Sequence, residues 1–237
     1  MRILLLAFVV GLAGCAADTD DEEVGSSDEA ISEEMQAGPA SALPESVQIL
    51  SGNGRDYCTG VLVKPRVVLG AAHCIWGTDY TVKAPFVSGS PSRKVVKSGV
   101  LSRDMNNPAS RDIGYFVLAS GIDAPHFGVP TTIGPQVDSG KTFKGVAVGR
   151  KFEARTAALV RSKLLTIKSG KPAGYTTGLR TETYSEGGDS GGPLFLVEDG
   201  KITHRLVGIE RQPEPAKNID WFTRIDQKSI DMIANAL

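Results

Sequence analysis

The chain of 237 residues is 41% hydrophobic and 22% charged, with 27 Gly and 13 Pro, a globular composition weighted toward turns and strands that excludes a collagen, a coiled coil or a wholly disordered chain. Its one long apolar run, Ile3 to Ala13, is too short for a membrane-crossing helix, which takes roughly 20 residues, so a multi-pass membrane protein is excluded. The net charge of −1 hides an asymmetry: ten of the 27 acids but only one of the 26 bases lie before residue 46, so an acidic stretch precedes a body carrying +8. In that body Lys and Arg are scattered and aromatics make up 6% of the chain; with neither a basic helix nor a stacking platform, nucleic acid is not an expected partner.

Met1-Arg2, the apolar Ile3 to Leu12 and the small residues ending at Cys15 read as a secretory signal over residues 1–14. Leu12-Ala13-Gly14-Cys15 resembles the bacterial lipobox, and the resemblance implies that Cys15 carries a diacylglycerol thioether and opens the mature chain. A plain signal peptide, with Cys15 merely near the cut, is the alternative. The lipid reading puts the protein at the bacterial cell envelope or outside the cell, with a membrane as partner through its anchor. Residues 15–44, acidic and poor in apolar side chains, cannot bury enough surface to offset their ordering entropy and read as a disordered tether.

Three cysteines are present, Cys15, Cys58 and Cys74. With Cys15 lipidated and the chain exported, Cys58 and Cys74 are left in an oxidising compartment. A bridge between them would close a short loop, worth roughly 3 kcal/mol of chain entropy. Two buried free thiols are the alternative. His73, His126 and His204 are far apart in sequence, and only His73 adjoins a cysteine. Without the paired spacings of a zinc site, no metal is expected.

From Ser46 onward short apolar runs recur between turn residues: Val47–Leu50, Thr59–Val63, Val67–Leu69, Tyr115–Leu118, Gly145–Val148, Ala158–Leu165, Pro193–Val197, Ile202–Ile209 and Trp221–Ile225. Rich in Val, Ile and Leu, they predict an all-β sandwich or barrel. Asp199-Gly200 predicts a hairpin turn, since these residues accept the positive φ it needs. Helical spacing is confined to Asp226–Leu237, where Ile230, Ile233 and Leu237 share a face. There is no internal repeat and no nucleotide-cradling glycine loop, so no cofactor is expected.

Three segments carry chemistry. Glu186-Gly187-Gly188-Asp189-Ser190-Gly191-Gly192-Pro193 sets a serine among glycines, which let a substrate carbonyl approach main-chain N–H groups. In Ala71-Ala72-His73-Cys74 a strand runs into a histidine whose loop Cys58 could pin, as a general base requires. Asp112 precedes a buried strand. Singly, these are a turn, a structural histidine and a surface ion pair with Arg111. Together with Cys58-Thr59-Gly60 and Phe222-Thr223-Arg224-Ile225, and in the order His, Asp, Ser, they strongly resemble the chymotrypsin and trypsin-like serine peptidases.

The resemblance spans residues 45–237 and implies two packed six-stranded antiparallel β-barrels, about 45–127 and 128–225, then a helix at 226–237. It implies a serine endopeptidase, a monomer acting on protein or peptide substrates. Ser190 would be the nucleophile, His73 the base and Asp112 its orienting acid, with the Gly188 and Ser190 N–H groups forming the oxyanion hole. Asp189 matches the residue that, in members activated by cleavage, pairs with a new N-terminal ammonium. Tyr184, six before the serine, stands at the base of the specificity pocket, and Glu186, Arg211 and Asp220 are its candidate neighbours. The chain departs from the family in two places. No Arg or Lys lies between Arg2 and Arg55, leaving Ile31 as the candidate new terminus, and Glu210-Arg211-Gln212-Pro213 stands where Ser-Trp-Gly is usual. A non-catalytic or conditionally active scaffold, acting as a binding or regulatory surface protein, is the alternative.

Overall fold

The computed structural model describes residues 37–52, 56–150 and 158–237, so the signal segment, Cys15, Ile31 and most of the expected tether lie outside the described residues. The chain opens with a two-residue strand, β1 (Gly38–Pro39), and continues through β2 (Ser46–Ser51), β3 (Asp56–Lys64), β4 (Val67–Gly70), β5 (Tyr80–Lys83), β6 (Ser92–Val100) and β7 (Gly114–Leu118). Strands β2 to β7 close into a barrel in the order β2-β3-β4-β7-β6-β5. All four residues of β4 are buried, because one of its faces lines the barrel and the other is covered by its neighbours. No residue of β6 is fully buried, and Ser92, Lys94, Val96, Lys97 and Val100 are exposed.

A linker, the parallel strand β8 (Val129–Pro130) and the short helix α1 (Gly134–Asp138) lead to the second barrel. Its strands are β9 (Phe143–Arg150), β11 (Leu165–Ser169), β12 (Gly178–Thr181), β13 (Pro193–Glu198), β14 (Lys201–Glu214) and β15 (Ile219–Arg224), with β10 (Leu159–Arg161) alongside β9. The antiparallel ring β9-β11-β12-β15-β14-β13 closes where β13 pairs with β9. Ala147, Leu194, Leu196, Val207 and Phe222 fill its interior. The alternate residues Val146, Val148 and Phe195 join the apolar cluster of the first barrel, so the period-2 pattern of each strand serves both the barrel and the seam between barrels. At the β13–β14 hairpin Asp199 and Gly200 take φ values of 49° and 70°, the turn their sequence predicts.

Three boundaries differ from the sequence expectation, one of them the closing helix, which ends at Ala234 and leaves Leu237 beyond it and 66% exposed. The folded body starts before residue 45: Gly38 and Pro39 pair with Arg161 and Val160 of β10, and Ala40 and Leu43 are fully buried, supplying apolar surface that the acidic stretch upstream lacks. The run Ala158–Leu165 is not one strand: it holds β10 and only the first residue of β11. Between them the buried Ser162 takes the Ala147 N–H on its Oγ at 2.9 Å, so a side chain replaces one rung of the ladder.

The closing helix α2 (Gln227–Ala234) begins at a reciprocal cap between Asp226 and Ser229. It returns to the first barrel, where Lys64 Nζ donates to Ile233 O at 3.1 Å and Lys97 Nζ to Ala236 O at 2.8 Å. Arg111 pairs with Asp226 at 2.6 Å, tying the helix start to the residue before Asp112. Two of the histidines that are distant in sequence meet: the rings of His126 and His204 stack with centroids 4.0 Å apart, and His204 Nδ1 lies 2.6 Å from an oxygen of the fully buried Glu45.

Candidate active site

His73 sits in a tight turn (Ala72–Cys74) directly after β4. Ala71, Ala72 and Cys74 are fully buried, and a disulfide joins Cys74 to Cys58 of β3 with a Cα separation of 6.3 Å. The turn is thus fixed by packing and by a covalent link. Donor atoms of Cys58, His73 and Cys74 lie within 4.8 Å of one another, but both sulfurs are spent on the bridge, which leaves the imidazole alone as a ligand.

Asp112, two residues before β7, has no exposed surface. Oδ1 accepts the His73 backbone N–H at 2.8 Å, and Oδ2 meets ring Nδ1 at 2.6 Å. One carboxylate therefore fixes both the main chain and the ring of His73. With Nδ1 engaged, Nε2 is the nitrogen left for chemistry on a side chain that is 22% exposed.

Ser190 lies in the loop that leads into β13. The loop turns on Gly188 and Gly191, at φ 98° and 84°, values that penalise any residue with a Cβ. At Gly191 a Cβ would also fall 2.4 Å from Thr59 O. Thr59 N donates to Ser190 O at 2.9 Å, and that carbonyl is 3.8 Å from Cys74 Sγ, so the Ser190 backbone rests against the residue following His73. Thr59 Oγ1 donates to Gly188 O at 3.1 Å. Gly191 N–H donates to Glu210 O at 2.9 Å, and Glu210 N–H returns the bond to Gly192 O at 2.8 Å. Ser190 is partly exposed, and among the described residues its hydroxyl makes no hydrogen bond.

Behind the loop lie three buried carboxyls. Asp189 Oδ2 accepts the Glu186 N–H at 2.9 Å; Asp220 Oδ2 accepts the Tyr184 and Ser185 N–H groups at 2.7 and 2.6 Å; Glu210 Oε1 accepts Ser185 Oγ at 2.8 Å. Each has a second oxygen that is buried without a partner. Burial, helped by neighbouring acids, pushes Asp189 up to about 7 and Glu210 well above the usual carboxylate range, and burial alone raises Asp220.

Of the expected pocket residues, Tyr184, Glu186 and Asp220 are brought together around Ser185 and Asp189. The Tyr184 hydroxyl reaches across to Val160 O at 2.7 Å, and burial with the nearby Asp189 carboxylate drives its pKa upward. Arg211 does not join them. The pairing of β14 with β15 shifts register between Glu210 and Gln212, and a bulge of this kind re-aims a side chain. The buried Arg211 guanidinium instead donates to Met105 O at 2.7 Å, Asn107 O at 3.2 Å and Ser110 O at 3.4 Å, securing the loop that leads to Asp112. Sequence reading gave no role to Thr59 or to the Glu210 carboxyl. The one available signal was an acid placed directly after the apolar Val207-Gly208-Ile209.

A family model, Trypsin, matches residues 33–230. Among solved structures the chain is similar to neuropsin, a serine protease expressed in the limbic system of mouse brain, at 20% identity, a TM-score of 0.65 and coverage of 84% of this chain and 99% of that one. It is also similar to the Vibrio cholerae VesB protease, at 18% identity, a TM-score of 0.64 and coverage of 85% of this chain and 68% of that one. These two likenesses are likenesses of fold, and the family match accounts for the fold, the paired His73 and Asp112 and the glycine-bounded serine loop together: the chain belongs to the trypsin family of serine endopeptidases.

Proposed function

We propose that the chain hydrolyses peptide bonds through a Ser190-His73-Asp112 triad and an acyl-enzyme. His73 Nε2 takes the Ser190 proton as Oγ attacks the scissile carbonyl, then returns it to the leaving amine, while Asp112 holds the ring in the required tautomer and stabilises the imidazolium. Gly188 and Ser190 N–H groups receive the oxyanion, a role in which one lost donor costs about 3 to 4 kcal/mol of barrier. The observation that carries this reading is the fully buried Asp112 bonded to both the backbone N–H and ring Nδ1 of His73.

The second reading, a scaffold that binds without cutting, is favoured by Tyr184, whose phenol spans to Val160 where the pocket base is expected. A fluorophosphonate probe separates the two. Stoichiometric labelling of the intact chain that disappears in Ser190→Ala supports the enzyme; absence of labelling, before and after removal of the residues preceding Ile31, supports the scaffold. Labelling only after that removal identifies Asp189 as the partner of a new ammonium at Ile31. Export and anchoring through a lipid on Cys15 belong to the same proposal, and loss of membrane association in Cys15→Ser is the expected result.

A further inference from the structure

On the outer face of the second barrel Lys168 of β11 lies opposite Arg180 of β12, and Arg180 lies opposite Trp221 of β15. Ile167, Leu179 and Phe222 belong to the barrel interior, so alternation turns Thr166, Lys168 and Arg180 outward. Asn218, in the left-handed region at φ 54°, bends the chain so that the preceding Lys217 overhangs this face. The result is a cavity of about 250 Å³, lined chiefly by Thr166, Lys168, Arg180, Glu182, Lys217 and Asn218.

Three cations and one carboxylate face this space, and the acids nearby are already engaged. Glu182 Oε2 accepts the Thr166 N–H at 2.8 Å; Glu214 takes Lys217 Nζ at 2.8 Å and Trp221 Nε1 at 3.0 Å. The side chains of Arg180 and Lys168 make neither a hydrogen bond nor an ion pair among the described residues, although the Lys168 charge helps hold Glu182 below its usual range, and Arg180 Nε is buried without an acceptor. A guanidinium N–H removed from water with nothing to bond carries a desolvation cost that a bound acceptor would remove. The planar fork of an arginine fits two oxygens of one oxyanion, and Lys168 adds a point charge. Asn218 Oδ1 accepts the Thr183 N–H at 3.2 Å, which leaves its NH₂ as a further donor.

We propose that this cavity is an oxyanion site that takes a sulfate or phosphate group on Arg180, with Lys168 and Asn218 closing around it. The site belongs to a face built by β11, β12 and β15, and it stands whether or not Ser190 is a nucleophile.

Isothermal titration of the full chain with sodium sulfate, sodium phosphate and a sulfated oligosaccharide, at ionic strength held constant with sodium chloride, tests it. Saturable binding of inorganic sulfate or phosphate is expected, weakened at least tenfold in Arg180→Gln and several-fold in Lys168→Gln. Oligosaccharide binding far tighter than that of free sulfate, and equally lost in Arg180→Gln, assigns the group to a polymer; equal affinity per group assigns it to the free ion. No saturable binding of any probe, or equal affinity in wild type and Arg180→Gln, overturns the proposal. Should Arg180→Gln not fold, the exposed Lys168→Gln decides, and unchanged affinity there overturns it as well.

Discussion

Asp112 spends both of its oxygens on one residue, so its replacement separates geometry from charge. Asp112→Asn offers an NH₂ to one of two donors that both need an acceptor, and turnover of a peptide substrate is expected to fall about 10⁴-fold with the fold intact by circular dichroism. Thr59 acts one step further out, because its hydroxyl holds the carbonyl of Gly188, the residue whose own N–H is a proposed oxyanion donor. Loss of one neutral hydrogen bond is worth about 1 kcal/mol; Thr59→Val is therefore expected to lower kcat by about fivefold with KM nearly unchanged, and Thr59→Ser to restore it. The pairing of His73 with Asp112 and the glycine-bounded turn at Ser190 were legible because each residue sits in a run of particular neighbours. Arg211 was not, since nothing in Glu210-Arg211-Gln212 announces a bulge, and a strand read with strict alternation sends that side chain to the wrong loop.

Helix α2 depends on Asp226 for two things at once, its N-terminal cap and its ion pair with Arg111. Asp226→Ala is expected to cost about 2 kcal/mol, the upper end for a lost cap, measured by urea unfolding. The same change frees the residue next to Asp112, so activity should fall by more than the stability loss alone explains. The helix and the strands that carry apolar runs were visible because their apolar positions recur at the period of the element. β5, β6 and β12 were not. β6 reads Ser-Arg-Lys-Val-Val-Lys-Ser-Gly-Val, and much of it faces water, so no apolar run betrays it; it is held by its pairing with β5 and β7, and that information lies in the partner strands.

Across the whole molecule two sets of carboxyls pull stability in opposite directions with pH. Asp189, Glu210 and Asp220 bind a proton more readily in the fold than in the unfolded chain, so their contribution is full below about pH 4 and is lost as pH rises toward 7, for Asp189, and beyond. Asp138 behaves oppositely. Burial works against its ionised form, but hydrogen bonds from Arg224, Ser169 and Lys171 outweigh this and hold it below the usual range, so its contribution is present above about pH 4 and lost in acid. The melting temperature is expected to peak in mild acid, and Asp189→Asn to flatten its decline between about pH 5 and 8. For Glu210, Asp220 and Asp138 this could not be read from sequence, because an acid in a motif does not reveal whether its second oxygen finds a donor. One topological detail sets how the molecule bears load. Gly38 and Pro39 precede every strand of the first barrel yet pair with β10, outside it. Tension applied upstream of residue 37 therefore enters through two residue pairs on the far barrel, and this short ladder would peel away as a mechanical fuse before any force reached the sheet that presents His73.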